Sequence, residues 1–231
     1  MSKLSVVATP IGNLGDITLR ALETLKQADF IICEDTRVTK RLLSHYDINK
    51  PTISYHSHSE QDKKDEILAI LKNGSDLALV TDAGTPGISD PGLQLVSYLR
   101  DQLKQEIISG VFKIESIPGP SALTASISIA GVSCADFLFL GFLPHKKGRE
   151  TLFKEIAQSE RTVIFYESTH RILKALDSLE KFCPSKKITI TRELTKIFEE
   201  VVSGNAMEVK DYFNKNPEKV KGEFVVLVST Y

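Results

Sequence analysis

The 231-residue chain lacks several features that would assign it to a class of protein at once. Its three cysteines, Cys33, Cys134 and Cys183, are odd in number, far apart and without a C-x-x-C pair. This pattern argues against a disulfide framework and against a zinc ribbon. No stretch approaches the roughly eighteen consecutive apolar residues of a membrane span, and the apolar run at the N-terminus is too short for a signal peptide. We therefore expect a cytoplasmic protein without membrane spans.

The chain also lacks an excess of positive charge, because 29 Lys and Arg are balanced by 30 Asp and Glu for a net charge of −1. Proteins that hold naked nucleic acid by neutralising phosphates are usually strongly basic. Any contact with RNA must therefore be local. Two basic clusters meet this condition, and solvated surface is the alternative interpretation of each. They comprise Arg37, Lys40 and Arg41, and then His145, Lys146, Lys147 and Arg149.

The usual nucleotide fingerprints are missing as well. The first loop has Gly12 and Gly15, but position 10 is proline, so G-x-G-x-x-G is absent, and Gly-Lys-Ser/Thr occurs nowhere. A nicotinamide-dependent oxidoreductase is therefore the weakest functional interpretation. The sequence VTDAGTPGISDPG (80–92) is present instead, directly after an apolar run. Its glycines permit close approach of backbone to a ligand, and its aspartates place carboxylates at the mouth of a crevice.

Short apolar runs alternate with segments of helical period along the chain. Strands are predicted at 4–9, 30–34, 52–55, 76–81, 113–117, 137–142, 162–167, 187–193, 199–204 and 223–228. Helices are predicted through Leu19, Leu22 and Leu25 behind a Thr18 cap, through Leu42 and Leu43, and at 60–72, 91–103, 121–130, 149–158, 169–182 and 206–214. The first helix should bury those three leucines on one face. The helix at 60–72 should bury Ile67, Leu68 and Leu71, and the helix at 91–103 should bury Leu95, Val96 and Leu99.

This alternation predicts an α/β protein of two domains, 1–117 and 118–231, divided at Pro118-Gly119-Pro120. Nearly continuous apolar strands indicate a mostly parallel sheet in the first domain. Short links between the last strands indicate a mixed sheet in the second, with some antiparallel pairing.

Open parallel sheets bind ligands beyond the carboxyl ends of their strands. That rule places four sequence features at one rim. They are the loops 9–16, 34–37 and 80–92 and, from the second domain, Tyr166-Glu167-Ser168. Carboxylates and carbonyls there would complement ribose hydroxyls, an ammonium and a sulfonium, and S-adenosylmethionine carries all three. A turn with an unrelated structural duty is the alternative interpretation of the glycine-rich loop.

Successive motifs along the chain resemble those of one family. They are ATPIGNLGDITLRALETLKQAD (8–29), CEDTRVTKRLL (33–43), VTDAGTPGISDPG (80–92), PGPSA (118–122), GFLP (141–144), FYESTHRIL (165–173) and RELTK (192–196). The chain resembles the ribosomal RNA small subunit methyltransferase I family, within the tetrapyrrole (corrin/porphyrin) methylases. The resemblance implies a two-domain, homodimeric methyltransferase that holds S-adenosylmethionine between its domains. It further implies methylation of a cytidine ribose 2′-hydroxyl in the decoding region of 16S ribosomal RNA of the small subunit.

The resemblance also implies site residues. The cofactor site should include Pro10, Asp82, Ala83, Gly84, Thr85, Ile88, Ser121, Ala122 and Tyr166. A plain turn remains the alternative for Pro10, a helix cap for Ser121 and core packing for Tyr166. Both basic clusters should line the RNA approach, with Arg37 closest to the reacting nucleotide.

Methyl transfer to oxygen depends on alignment and requires no metal, but a base can help because a hydroxyl is a poor nucleophile. Glu167 and Asp90 are the main candidates for that base, with Asp35, Glu193 and His170 behind them. A metal site at His56 and His58 is disfavoured because no third ligand is apparent nearby. Two other functions remain open, a tetrapyrrole C-methyltransferase and a non-catalytic S-adenosylmethionine-binding module of ribosome assembly. Many relatives are expected to continue beyond the strand at 223–228, and an RNA-gripping role for such an extension would leave the substrate in doubt.

Overall fold

The computed structural model describes residues 2–56 and 61–231. The chain divides into two compact units, the first ending at Ser121 and the second spanning Ala122–Tyr231. This division falls a few residues after the predicted boundary at 117/118. His58, one of the two histidines weighed as metal ligands, lies outside the described residues.

The first unit is built on a five-stranded parallel sheet in the order β3-β2-β4-β1-β5. Its strands are β1 (Ser2–Val7), β2 (Phe30–Cys33), β3 (Thr52–Ser54), β4 (Leu77–Leu79) and β5 (Phe112–Ile117). Neighbouring residues of one strand enter different cores, since Ile31 and Ile32 of β2 lie in separate apolar clusters. Both faces of the sheet are therefore covered, as the continuous apolar runs predicted.

Within the described part of the first unit, five α-helices accompany this sheet. They are α1 (Leu19–Gln27), α2 (Thr36–His45), α3 (Gln61–Lys72), α4 (Gly92–Gln102) and α5 (Lys104–Ile108), of which α5 was not predicted. The Thr18 hydroxyl accepts a hydrogen bond from the Ala21 N–H at 3.1 Å, which confirms the predicted cap of α1. The predicted buried face of α1 is wrong in one respect: Leu19 is 80% exposed, whereas Ala21 and Leu25 are buried. The predicted face of α3 is confirmed.

The second unit contains a mixed sheet in the order β6-β7-β10-β8-β9. Its strands are β6 (Phe137–Phe142), β7 (Thr162–Ser168), β8 (Lys187–Arg192), β9 (Glu200–Gly204) and β10 (Glu223–Ser229). The β6–β7 pair is parallel, and β7–β10, β10–β8 and β8–β9 are antiparallel, which confirms the predicted mixed sheet. The helices are α6 (Ala122–Ile129), α7 (Arg149–Gln158), α8 (Ile172–Phe182) and α9 (Ala206–Lys215).

The end of β6 departs from regular pairing. The register between β6 and β7 shifts between Phe139 and Phe142, and Gly141 in that interval has a φ of +61°. Such a bulge bends the strand and re-aims the residues that follow it. Within residues 2–56 and 61–231, no helix has both the length and the apolar character needed to cross a membrane.

Candidate functional site

In the first unit, the loops that follow β1 and β4 are tied together by backbone hydrogen bonds. The Thr9 N–H donates to the Gly84 carbonyl at 2.9 Å, and the Gly84 N–H donates back to the Thr9 carbonyl at 3.0 Å. The Thr9 hydroxyl also donates to the Thr81 carbonyl at 3.1 Å. The two segments expected to approach a ligand are therefore held in one fixed arrangement at the carboxyl edge of the sheet.

The loop after β5 joins the same arrangement. The Thr85 hydroxyl donates to the Pro120 carbonyl at 3.0 Å. Gly84 has a φ of +84°, and a Cβ there would lie 3.3 Å from Ile11 Cγ2 and 3.8 Å from the Pro120 oxygen. Glycine is required at this position both by its left-handed backbone and by the closeness of the neighbouring loops.

A hydrogen bond from the loop after β2 completes the edge. The Asp35 N–H donates to Asp82 Oδ1 at 3.1 Å. Asp35 in turn begins α2, because its Oδ1 accepts from the Arg37 N–H at 2.8 Å. The hydrogen bonds from the Arg37 side chain hold the pKa of Asp35 at about 2. Asp35 therefore stays ionised across the physiological range.

The edge is acidic. Burial raises the pKa of Glu34 above its ordinary value, and repulsion from Asp82, Asp90 and Asp35 raises it further, whereas His56 acts against the shift. The pKa of the Cys33 thiol is also raised, first by burial. Where neighbouring carboxylates disfavour the ionised form of a carboxyl group, a bound cation would offset that repulsion. This is the sign of charge that a sulfonium or ammonium ligand requires.

Asp90, one of the two main base candidates, is occupied by its own loop. Its Oδ2 accepts from the Gly87 N–H at 2.6 Å, and its Oδ1 accepts from the Gly92 N–H at 2.8 Å. Both oxygens hold the turn that leads into α4. This geometry favours a loop-shaping role for Asp90 over that of a base.

The basic residues of α2 lie next to this edge. Arg37, Lys40 and Arg41 are exposed. The Arg37 side chain is 89% exposed and pairs with Asp35 at 2.6 Å, so it is anchored at one end and open to solvent.

Glu167, the other main base candidate, is buried in the second unit. Its Oε2 accepts from an Arg149 guanidinium N–H at 3.2 Å and its Oε1 from Arg171 Nε–H at 2.6 Å. Its Oε1 also accepts from the Ser168 N–H at 2.9 Å, and its side chain is 0% exposed. Both carboxylate oxygens are occupied by hydrogen bonds and closed to solvent, so the geometry favours a structural role over that of a base that must reach substrate.

Arg149 differs from the lysines with which the sequence grouped it. Its guanidinium binds Glu167, donates to the Pro144 carbonyl at 3.2 Å and lies 5.2 Å from the centre of the Phe153 ring. Only 14% of its side chain is exposed, whereas Lys146 and Lys147 are exposed. The structure thus separates the predicted RNA cluster into three exposed residues, His145, Lys146 and Lys147, and one largely buried arginine.

The remaining predicted cofactor residues vary in exposure. Pro10 and Ser121 are buried, Ala83 is exposed, and Ile88, Ala122 and Tyr166 are half-buried. The Tyr166 ring makes edge contacts with Phe139 and Phe142 at centroid distances of 5.0 and 5.4 Å. These contacts fit the core-packing alternative for Tyr166. Among the described residues, no group of three or more His, Cys, Asp or Glu side chains is arranged to hold a metal ion.

Sequence reasoning missed two residues that organise these loops. Thr9 joins the loop after β1 to the loop after β4. Its position directly before Pro10, a predicted cofactor residue, was the sequence signal for this role. Arg171 binds Glu167 and donates to the Leu143 carbonyl at 2.9 Å. Its place in FYESTHRIL, four residues after Glu167, was the corresponding signal for the second unit.

Comparison with known proteins assigns the family. The profile of Tetrapyrrole (Corrin/Porphyrin) Methylases matches residues 3–210. The chain is 43% identical over 227 residues to Ribosomal RNA small subunit methyltransferase I of Haemophilus influenzae, covering 97% of this chain and 77% of that protein. It is 40% identical over 229 residues to the protein of the same name from Thermotoga maritima, covering 99% of each. The chain belongs to the ribosomal RNA small subunit methyltransferase I family, within the tetrapyrrole methylases.

Solved structures share the fold. The methyltransferase CobJ superposes with a TM-score of 0.68 at 20% identity, covering 100% of this chain and 95% of that one. A uroporphyrin-III C-methyl transferase from Thermus thermophilus, complexed with S-adenyl homocysteine, gives 0.63 at 16% identity over 98% and 97% of the two chains. The predicted fold class is confirmed. The predicted cofactor is confirmed too, since this is a family of S-adenosylmethionine-dependent methyltransferases.

Proposed function

We propose that this protein transfers a methyl group from S-adenosylmethionine to the ribose 2′-hydroxyl of a cytidine in the decoding region of 16S ribosomal RNA. The observation that carries the proposal is similarity at 40–44% identity, over nearly the whole chain, to proteins named Ribosomal RNA small subunit methyltransferase I. The acidic, interlocked loops of the first unit supply a site of suitable chemistry.

The residues of that edge fit the cofactor. Gly84 carries no Cβ and has a φ of +84°, a backbone conformation that glycine adopts readily, so the loop can present backbone groups to a ligand. The carboxylates of Glu34 and Asp82 provide negative charge and hydrogen-bond acceptors for cationic and hydroxyl groups. We propose that Pro10, Asp82, Ala83, Gly84, Thr85, Ile88 and Ser121 bind it. Ala122 and Tyr166 stay predictions that rest on the resemblance.

The bound cofactor supplies an electrophilic methyl group on a sulfonium, and the protein's part is to align the acceptor oxygen and manage its proton. Alignment of this kind is worth up to roughly 7–11 kcal/mol of the barrier. A base near neutrality serves proton removal best. Glu34, whose pKa is raised, meets that condition better than Asp35, whose pKa is about 2. We therefore place Glu34 ahead of Asp90 and Glu167 as the candidate base.

We propose that Arg37, Lys40 and Arg41 on α2, and Lys146 and Lys147 before α7, contact phosphates of the RNA. All five are exposed. Phosphate contacts position a nucleic acid without reading its sequence, so these residues would orient the acceptor and leave its identity to other contacts.

A homodimer acting on the small ribosomal subunit in the cytoplasm completes the proposal. The edge strand β6 exposes Phe137, Leu138 and Phe142, and exposed apolar side chains along a sheet edge favour association. Light scattering after size exclusion measures the mass directly. A monomer at micromolar concentration would contradict this part of the proposal.

The decisive experiment supplies the protein with labelled S-adenosylmethionine and small ribosomal subunits that lack native modification. We expect label on one cytidine, in a form resistant to alkaline hydrolysis at the adjacent phosphodiester, because a 2′-O-methyl group removes the internal nucleophile. Free 16S ribosomal RNA serves as the control for a requirement for the assembled particle.

Other outcomes separate the alternatives. Label on a base would contradict ribose methylation, and label on added uroporphyrinogen but on no RNA would favour tetrapyrrole methylation. Tight binding of cofactor and subunit without transfer would favour a non-catalytic role in assembly.

A further inference from the structure

A buried ionic network links Glu167 to the exposed basic loop of the second unit. Arg171 joins the Glu167 carboxylate to the Leu143 carbonyl, and Arg149 joins the same carboxylate to the Pro144 carbonyl. Leu143 and Pro144 directly follow β6 and its bulge. The two arginines thus hydrogen-bond to the backbone of both residues that precede residues 145–148, which we call the basic loop.

The far end of the basic loop is fastened as well. The Arg149 N–H donates to the Lys146 carbonyl at 3.3 Å, and Gly148 takes a φ of +80° before α7 begins. Gly148 has no side chain with which to cap α7, and the Arg149 side chain at the first helical position binds Glu167 and the Pro144 carbonyl. Lys146 and Lys147 occupy the exposed tip between these two fixed points.

The network also contributes charge. Two guanidinium groups share one carboxylate, and each arginine side chain is 14% exposed while Glu167 is fully buried. These three groups together leave one positive charge in excess, next to the Leu143 and Pro144 carbonyls that lead into the basic loop. Removing the single carboxylate would leave two buried like charges side by side, which is costly and would push the arginines apart.

We infer that Glu167 is a positioning residue for RNA binding: through Arg149 and Arg171 it holds the basic loop so that Lys146 and Lys147 meet the phosphates of the substrate together. This inference rests on the proposed function and assigns Glu167 and Arg149 a different part in it from the one expected of their sequence motifs. A loop held in place loses less conformational freedom on binding, so its two charges act with better affinity.

The test is a double-mutant cycle between Glu167→Gln and the pair Lys146→Ala/Lys147→Ala, read as affinity for unmodified small subunits. We expect Glu167→Gln alone to weaken binding by about tenfold, and to change it by less than about twofold when both lysines are already alanine. Affinity for S-adenosyl homocysteine should stay within about twofold of wild type, because the first unit's loops are untouched.

Tryptic cleavage after Lys146 and Lys147 gives a readout independent of RNA. Glu167→Gln should speed cleavage there at native conditions, since the loop loses its anchor. The matched control is Glu200→Gln on β9, three strands away from β7 in the same sheet. It breaks another partly buried set of ion pairs, to Lys219 at 2.6 Å and to Arg192 at 3.9 Å. It should leave the cleavage rate and subunit affinity unchanged.

Arg171→Lys covers the case in which Glu167→Gln fails to fold, because lysine keeps the charge but cannot reach both Glu167 and the Leu143 carbonyl. It should reproduce the coupling with the lysines. Equal losses from Glu167→Gln in both backgrounds, or a fall in kcat with subunit affinity intact, would overturn the inference. Failure of the wild-type protein to bind subunits would instead overturn the proposed function.

Discussion

At the scale of single residues, Gly84 combines a left-handed backbone with close neighbours. Its φ is +84°, and a Cβ added there would lie 3.3 Å from Ile11 Cγ2 and 3.8 Å from the Pro120 oxygen. Gly87 has nearly the same backbone, with a φ of +89°, but open space where its Cβ would lie. Comparing substitutions at these two glycines of one loop therefore distinguishes the effect of backbone strain from the effect of steric crowding.

Gly84→Ala should lower the free energy of unfolding by about 1–3 kcal/mol and weaken S-adenosyl homocysteine binding by about tenfold or more. Gly87→Ala should carry a comparable strain but a smaller loss of affinity, because it displaces nothing. Urea unfolding and isothermal calorimetry measure the two effects. Equal losses of affinity in both variants would show that the closeness of Ile11 and Pro120 is irrelevant to the ligand.

Glu34 gives a prediction about pH. Because its folded-state pKa is raised, the stability associated with Glu34 is greatest below its ordinary pKa of 4.5 and declines as pH rises through the raised value. A bound cation would relieve the repulsion from Asp82 and Asp90. Binding of S-adenosylmethionine, which carries a sulfonium, should therefore release protons, whereas its demethylated product keeps the ammonium but has a neutral sulfur and should release fewer.

The ratio of affinities for S-adenosylmethionine and S-adenosyl homocysteine should accordingly rise several-fold between about pH 4 and pH 7. Glu34→Gln should flatten this rise, and Glu106→Gln on α5 should leave it unchanged. Calorimetry in buffers of different ionisation enthalpy counts the protons. A ratio that does not depend on pH in the unaltered protein would exclude a charge-selective role for Glu34.

At the scale of elements, α1 shows how a cap supports the site. Its first turn follows the loop after β1, which carries Thr9 and Pro10, and the Thr18 hydroxyl fixes the point where that loop ends. Thr18→Ala should lower the free energy of unfolding by about 1 kcal/mol, because the Ala21 N–H loses its acceptor. Thr18→Ser keeps the hydroxyl and should restore most of the loss in chemical denaturation; a serine variant as weak as alanine would contradict the capping argument.

Most elements were predictable because their signals are local. The alternation of apolar runs predicted the strands. Asn73 and Gly74 follow the last residue of α3, and Gly74 has a φ of +93°, which is typical of a helix end. Leu19 was misplaced because a three-residue spacing of leucines looks like one face, although Ala21, Thr24 and Leu25 are the residues that α1 buries. Side-chain size alone did not reveal which side of the helix met the sheet.

The role of Glu167 was not predictable from sequence for a different reason. Its motif placed it at the end of a strand, where catalytic carboxylates are common, and this part of the prediction agrees with its place on β7. Its partner Arg149 is 18 residues away along the chain, and only folding brings the two together. Long-range pairing of this kind distinguishes a buried structural carboxylate from an accessible base.

At the scale of the whole molecule, a net charge of −1 provides no general attraction for RNA. Affinity must then come from where charges are placed rather than from their sum. The chain offers a direct comparison, because Lys72 on α3 and Lys215 on α9 are exposed like Lys146 and Lys147 but lie outside the basic clusters.

Lys146→Glu/Lys147→Glu should weaken binding to small subunits by at least about tenfold at low salt and reduce the slope of log affinity against log salt by about 1 to 2. Lys72→Glu/Lys215→Glu lowers the net charge by the same amount and should change both quantities far less. Filter binding across a salt titration gives the slopes, and cofactor calorimetry confirms that both variants keep the first unit intact. If the two double variants lose affinity equally, RNA responds to the total charge of the protein, and the basic loop has no special place in recognition.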